Sequence, residues 1–196
     1  MINLKFNKEH LLNLIDESLN LKTIDISEIP DIDLYMDQVT TFMEDKLEKF
    51  KRTEEDKILT KTMINNYTKN EIIPSPKKKK YSKEHMMLLI LTYHMKQTLS
   101  MGDIHSLLSP ISENDDVETL YKNFLEIQLK EYNEFPKEIL KKVDELETQI
   151  SSHEDESNHL MIYSIIFFLI IQASMQKKLA ETLIDNFFID KKSDKS

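Results

Sequence analysis

Apolar residues recur along this chain three and four positions apart more often than they alternate, which is the spacing of one face of a helix. Leu11, Leu12, Leu14, Ile15 and Leu19 make the first such face and predict a helix over Asn7–Asn20. Lys22 to Ile32 loses that spacing, contains Pro30, and reads as a linker. Leu34, Val39, Phe42, Met43 and Leu47 predict the buried side of a second helix, Asp33–Phe50, with a charged loop, Lys51–Lys57, after it. Thr60 is placed to cap a short helix over Lys61–Lys69, whose inner side carries Met63, Ile64 and Tyr67. Pro74 and Pro76 keep Glu71–Tyr81 from being helical throughout. Ser82 caps a helix over Lys83–Leu99, rich in Met, Leu and Ile. Ser100, with Asp103 three residues on, has the form of a capping box and opens a short helix to Leu108 that Pro110 should end.

In the second half, Ser112 to Asp115 resembles another capping box, opening a helix to Asn133. Pro136 fits the first turn of a further helix reaching Ser151. The last helix is expected over Glu156–Phe188, followed by a charged tail, Asp190–Ser196. It holds the most apolar run, Leu160–Ile171, whose 12 residues include Ser164. A membrane span needs about 20 residues. A core helix or a dimer interface is therefore the expected use, without membrane contact. A helix apolar on nearly all sides must be covered on nearly all sides. A seven-helix monomer would do that, and so would two copies packed together.

Composition sharpens the fold class. The chain has a single glycine, Gly102, among 196 residues, and five prolines. Strand-rich folds depend on tight turns that favour glycine, so an all-α fold is expected. Phosphate-binding loops, dinucleotide fingerprints and nucleophile elbows need several glycines and are excluded. The absence of cysteine rules out disulfides, zinc fingers and thiol catalysis. The first ten residues lack the apolar core of a signal peptide, which favours the cytoplasm.

Net charge, −9 overall, is unevenly placed. Between Leu59 and Leu99 eight lysines face two acids, a net of +6, so the remaining residues together carry −15. A local positive field of this kind is what phosphate binding requires.

Asn65-Asn66-Tyr67-Thr68-Lys69, then Ile72-Ile73-Pro74, Lys77 to Lys80, Tyr81-Ser82 and Ser100-Met101-Gly102-Asp103-Ile104 follow one another in a set order. That series resembles the winged helix-turn-helix domain of MerR-type regulators, within an uncharacterised bacterial family of MerR-like domains to which Leu34-Tyr35-Met36-Asp37-Gln38-Val39 also points. The resemblance implies an N-terminal helix and linker over 1–30, a DNA-binding domain over 31–109, and a C-terminal helical dimerisation or effector region over 112–190. It also implies a homodimer through the C-terminal helices. Three positions depart from the MerR pattern: Asn65 stands where Arg is usual, Asn66 where Tyr is, and Glu71 where Gly is.

The residues support a DNA-binding reading directly. A short helix fits the major groove, about 12 Å wide, and Asn65 or Asn66 has the donor–acceptor pair that matches an adenine edge. Lys61, Thr62 and Lys69 are placed for phosphate, with Tyr67 and Tyr81 as further contacts. Lys77, Lys78, Lys79 and Lys80 form a flexible basic tip between Pro76 and Tyr81, suited to backbone phosphates. The expectation is a transcriptional regulator that binds double-stranded DNA, with no enzymatic role and no cofactor. The alternative is a helical protein-interaction or ligand-sensing module that has the fold without DNA binding. A small-molecule effector fits that alternative, with the ten methionines available to line a pocket, although Met more often fills core gaps. Glu156 and His159 share a helical face, but a di-iron bundle repeats that pair, so no metal is expected.

Overall fold

The computed structural model describes residues 7–19, 21–114, 116–150 and 154–189, and for 112–114, 150 and 154–158 the backbone alone. Seven helices and one two-stranded ribbon are formed among these residues: α1 (Lys8–Leu19), β1 (Leu34–Tyr35), α2 (Met36–Leu47), α3 (Lys61–Lys69), β2 (Lys80–Tyr81), α4 (Lys83–Lys96), α5 (Met101–Asn114), α6 (Val117–Ile150) and α7 (Glu154–Phe187). Single 3-10 turns lie at Ile26–Glu28 and Glu48–Phe50. The chain is thus mostly helical, and divides into two compact bodies.

The first body is Thr23–Glu126 with the end of α7 from Leu179. Its axis is α4, where every residue from His85 to Tyr93 is buried. The stretch His85-Met86-Met87-Leu88-Leu89-Ile90-Leu91-Thr92-Tyr93 has no polar face because its own domain covers all sides. Val39, Met43 and Leu47 of α2, Ile64 and Tyr67 of α3, and Ile104 and Leu108 of α5 belong to the same core. So do Val117, Tyr121 and Leu125 of α6. Each Leu, Ile or Met so enclosed contributes about 1.5–3 kcal/mol relative to exposure. The buried Thr92 hydroxyl donates to the Leu88 carbonyl at 2.7 Å, so it leaves no orphan donor.

Several sequence expectations change here. The stretch from Lys22 to Ile32 is no loose linker: Ile24 and Ile29 are core residues, and the Tyr121 hydroxyl donates to the Ile24 carbonyl at 2.8 Å. Leu34 and Tyr35 are not helical but pair antiparallel with Tyr81 and Lys80. Pro110 does not end α5, which continues to Asn114, and Pro136 lies inside α6 rather than opening a new helix. A proline removes one backbone hydrogen bond. Burial of Ile104 and Leu108 before Pro110, and of Leu125, Ile139 and Val143 around Pro136, outweighs that loss. The expected Ser112–Asp115 box falls outside the described side chains. Asp116 caps α6 instead, accepting from the Glu118 backbone at 3.0 Å and from the Thr119 hydroxyl at 2.6 Å.

The second body comprises the chain to Lys22 with Ile127–Lys178. Ile139 and Val143 of α6 and Met161 and Ile165 of α7 form its buried centre, flanked by Leu11 and Ile15 of α1. Lys8 pairs with Asp144 and Glu147 at 2.5 and 2.9 Å on the surface, which adds little stability. Most of the ten methionines serve packing: Met43, Met86, Met87 and Met161 are buried, and Met36, Met63, Met95 and Met101 pack against the core. Among the described residues no cluster of metal-ligating side chains forms; Glu156 of the expected pair lies outside the described side chains.

His94 sits among the rings of Phe50, Tyr93 and Phe124, with centroids 4.9, 5.5 and 5.2 Å away. Burial keeps its imidazole neutral and pulls its pKa down to about 4. An unfolded histidine titrates near 6.5. Between those values the unfolded chain holds a proton that the native one lacks. Stability therefore falls as pH drops through that window, by about 3 kcal/mol for this side chain once both forms are protonated. Burial of His85 shifts its pKa the same way. Denaturant titrations from pH 7 to pH 4 should show the loss, and His94→Leu should shallow it; an unchanged slope in that variant would place the effect elsewhere.

Candidate nucleic-acid interface

α3 begins where the sequence places it. The Thr60 Oγ1 accepts from the Met63 backbone at 3.2 Å, satisfying one of the free donors of the first turn. Ile64 and Tyr67 turn inward and are buried. Lys61, Thr62, Asn65, Asn66 and Lys69 are all exposed. Their spacing puts them on one side of a nine-residue helix about 13 Å long, a polar stripe opposite the core.

The end of α3 explains one departure from the MerR pattern. The Ile72 N–H donates to the Tyr67 carbonyl at 2.9 Å and the Glu71 N–H to the Thr68 carbonyl at 3.2 Å. This is a Schellman closure, with Ile72 and Tyr67 in contact range and both buried. Glu71, at φ +56°, occupies the left-handed position that such a closure usually gives to glycine.

The basic tip is a tight hairpin turn rather than a flexible loop. The Lys80 N–H donates to the Lys77 carbonyl at 3.0 Å, and Lys78 and Lys79 lie at φ +53° and +64°. Two central residues with positive φ define the mirror-image turn that suits twisted hairpins and strongly favours Asn-Gly. A chain nearly without glycine has made such a turn from two lysines. Lys77, Lys78 and Lys79 are exposed, and Lys80 is half-buried with its Nζ 5.1 Å from the Tyr35 ring centre.

Two expected contacts are corrected. Tyr67 and Tyr81 are only 2% and 3% exposed, so neither ring can reach a ligand. Tyr67 closes the inner side of α3. The Tyr81 hydroxyl lies near the Thr68 side chain, which sets the wing strand beside α3. Lys61 forms an exposed ion pair with Asp37 of α2. Sequence spacing alone missed Lys96, whose Nζ lies 5.8 Å from the Tyr67 ring centre and so beside α3. Its signal was present as a lysine in the last turn of α4, opposite in sequence to the wing.

His85 fastens the wing from within. Its Nδ1 accepts from the Ser82 N–H at 3.2 Å and meets the Ser82 hydroxyl at 2.8 Å, capping α4. With Nδ1 accepting, the ring proton is on Nε2, which is buried and makes no hydrogen bond among the described residues. An open cavity of about 420 Å³ beside it is lined by Asp33, Lys77, Lys80 and Glu84 among others. Carboxylates and ammonium groups both line it.

A family model described as a domain of unknown function, DUF1836, matches residues 24–124. The chain belongs to that family. The DUF1836 segment coincides, to within two residues at either end, with the compact stretch Thr23–Glu126. The family segment thus makes up most of the first compact body, with the α3 stripe and the wing inside it. No curated protein and no solved structure matches the chain.

Glu71 provides a direct test of the α3 closure. Glu71→Gly should raise stability by about 1 kcal/mol, because a side chain in the left-handed region costs about that much. The urea midpoint should rise at constant slope; a fall would mean that Glu71 holds its position through its carboxylate.

Proposed function

We propose that the DUF1836 domain of this chain is the DNA-binding part of a transcriptional regulator, a MerR-like winged helix-turn-helix. α2 supports α3, and α3 enters the major groove. Asn65 and Asn66 face base edges while Lys61, Thr62 and Lys69 meet the flanking phosphates. The Lys77–Lys80 hairpin follows the backbone. Two copies acting together would read half-sites about 34–36 Å apart, or a multiple of that.

The observation that carries this reading is the Lys78–Lys79 turn. Lysine is a poor occupant of both central positions, so local stability does not account for it. Strain of this kind persists where surrounding structure imposes it, and it clusters at functional sites. Here it holds ammonium groups outward on a rigid ribbon braced by the Leu34–Tyr81 pairing. Side chains presented this way lose less freedom on meeting phosphate than those of a loose loop would.

The second reading, a protein-interaction module without DNA binding, is favoured by the ion pair between Lys61 and Asp37. It neutralises the first lysine of the α3 stripe. Duplexes selected from a random pool, assayed by fluorescence polarisation across a salt series, separate the two. Binding that is absent even at low salt would favour the second reading.

On the DNA reading, replacing Lys77, Lys78, Lys79 and Lys80 together by Ala should flatten the slope of log K against log salt by about 3–4, near 0.9 per phosphate lost. Lys78→Asn combined with Lys79→Gly distinguishes charge from folding. It should raise stability by about 1–2 kcal/mol through the relaxed turn and still reduce the slope by about 2. A stabilised variant with an unaltered slope would remove the wing from the interface.

A further inference from the structure

The cavity beside His85 lies wholly within the first body and gathers charges that the fold leaves unpaired. Asp33 precedes β1, Lys77 and Lys80 belong to the wing, and Glu84 lies in the first turn of α4; all four line it. Nearby acids are already taken: Lys83 pairs with Asp31 at 2.6 Å, and Lys61 with Asp37. Among the described residues Asp33, Glu84, Lys77 and Lys80 enter no ion pair, with one another or with any other side chain. The Lys80 ammonium meets the Tyr35 ring instead. Opposite charges set around one space without touching leave room for a group between them.

The wall of this cavity has a second open position. His85, 9% exposed, is part of it. Its Nδ1 is used by Ser82, and its Nε2 is buried with no hydrogen-bond partner among the described residues. A buried donor without an acceptor is destabilising, and native structures rarely leave one. Leu88 and Val117, both buried, add an apolar lining. About 420 Å³ is within the usual span of small-molecule sites, about 300–1,000 Å³. No methionine lines it, so it is not the methionine pocket that composition suggested.

Charge selects the class of occupant. The two ammonium groups and two carboxylates of the lining cancel. An anion such as phosphate would meet Asp33 and Glu84, and a cation would meet Lys77 and Lys80, each against like charge. A metal ion lacks its ligand set, because no three His, Asp or Glu side chains converge among the described residues. A neutral molecule would displace water from four charged groups and pair none of them. A zwitterion pairs both signs at once. Its carboxylate suits the lysines and its ammonium suits the acids. A carboxylate oxygen is also the acceptor that the His85 Nε2–H lacks. An apolar side chain on the same molecule matches Leu88 and Val117.

We propose that this cavity binds a free α-amino acid with an apolar side chain. Lys77 and Lys80 hold its carboxylate, and Asp33 and Glu84 hold its ammonium. The His85 Nε2–H, closed off from water by its neighbours, gains the carboxylate as acceptor through the side-chain adjustments common on binding. The site stands whether or not the wing meets DNA. On the DNA reading, an occupant takes two of the four wing lysines from phosphate, so amino acid and duplex weaken each other's binding by the same factor.

Amide NMR on the labelled full chain, titrated without DNA with L-leucine, L-isoleucine, L-valine and L-methionine, tests the assignment. At least one should move the Ser75, Lys77, Lys80 and Glu84 resonances saturably, with Kd below about 1 mM. The N-acetyl and carboxamide forms of that amino acid should each bind at least about tenfold more weakly, since each lacks one charge. In the Asp33→Asn, Glu84→Gln variant the preference over the N-acetyl form should vanish and that over the amide should persist. Lys77→Gln with Lys80→Gln should do the reverse. None of the four side chains belongs to the core, so helicity by circular dichroism should be unchanged. No saturable shift with any of the four amino acids at about ten times that Kd would overturn the site. Equal binding of the blocked forms, or the same shifts with inorganic phosphate alone, would overturn the zwitterion. Duplex binding is measured separately, so its loss with the titration intact counts only against the DNA reading.

Discussion

The enclosure of α4 is the constraint on which the family domain depends. Nine consecutive residues, His85 to Tyr93, are buried, so no side of that helix is free to meet water. Every neighbour is obliged to bring an apolar face to it. α2 brings Val39, Met43 and Leu47, α3 brings Ile64 and Tyr67, and α6 brings Tyr121 and Leu125. The polar stripe of α3 follows from the same requirement. Once Ile64 and Tyr67 are committed inward, Lys61, Asn65, Asn66 and Lys69 are left on the exposed side, where Lys61 meets Asp37 of α2. The candidate interface is thus the outer surface of a core obligation rather than a separate construction.

The backbone carries two marks of a different pressure. Glu71 closes α3 and Lys78–Lys79 close the hairpin, all three at positive φ, where glycine or asparagine would sit more easily. At Glu71 the closure is over-determined by the buried pair Tyr67 and Ile72, which explains how the conformation survives. At Lys78–Lys79 the support is the short β1–β2 ladder, with the buried Tyr81 ring at its base. The chain tolerates strain at both ends of the segment that links α3 to the wing. Only the hairpin turns that strain into clustered charge.

How much of this was legible beforehand follows from what each signal encodes. Caps are local, so Thr60, Ser82 and Ser100 located α3, α4 and α5 from the sequence, and the Lys61–Lys69 helix has the expected bounds. Proline is also local but is weighed against distant packing. For that reason Pro110 and Pro136 misled: the buried residues on either side belong to a core that the local sequence does not show. The β1–β2 pairing joins positions more than forty residues apart, and no spacing rule within Asp33–Phe50 reveals it. For Tyr67 and Tyr81, aromatic character beside lysines suggested contact with a ligand, and only burial distinguishes a core ring from an exposed one. The scarcity of glycine correctly pointed to helices, and the basic tip expected to be flexible proves to be a tight turn made by Lys78 and Lys79 at positive φ.

α4 and α7 make the same point about composition more sharply. Both are apolar nearly all round, and a sequence reading treats them alike. α4 is covered by its own domain, while among the described residues many large apolar side chains of α7, from Leu160 to Phe187, stay exposed. Hydropathy states that a surface must be covered; it is silent on what covers it.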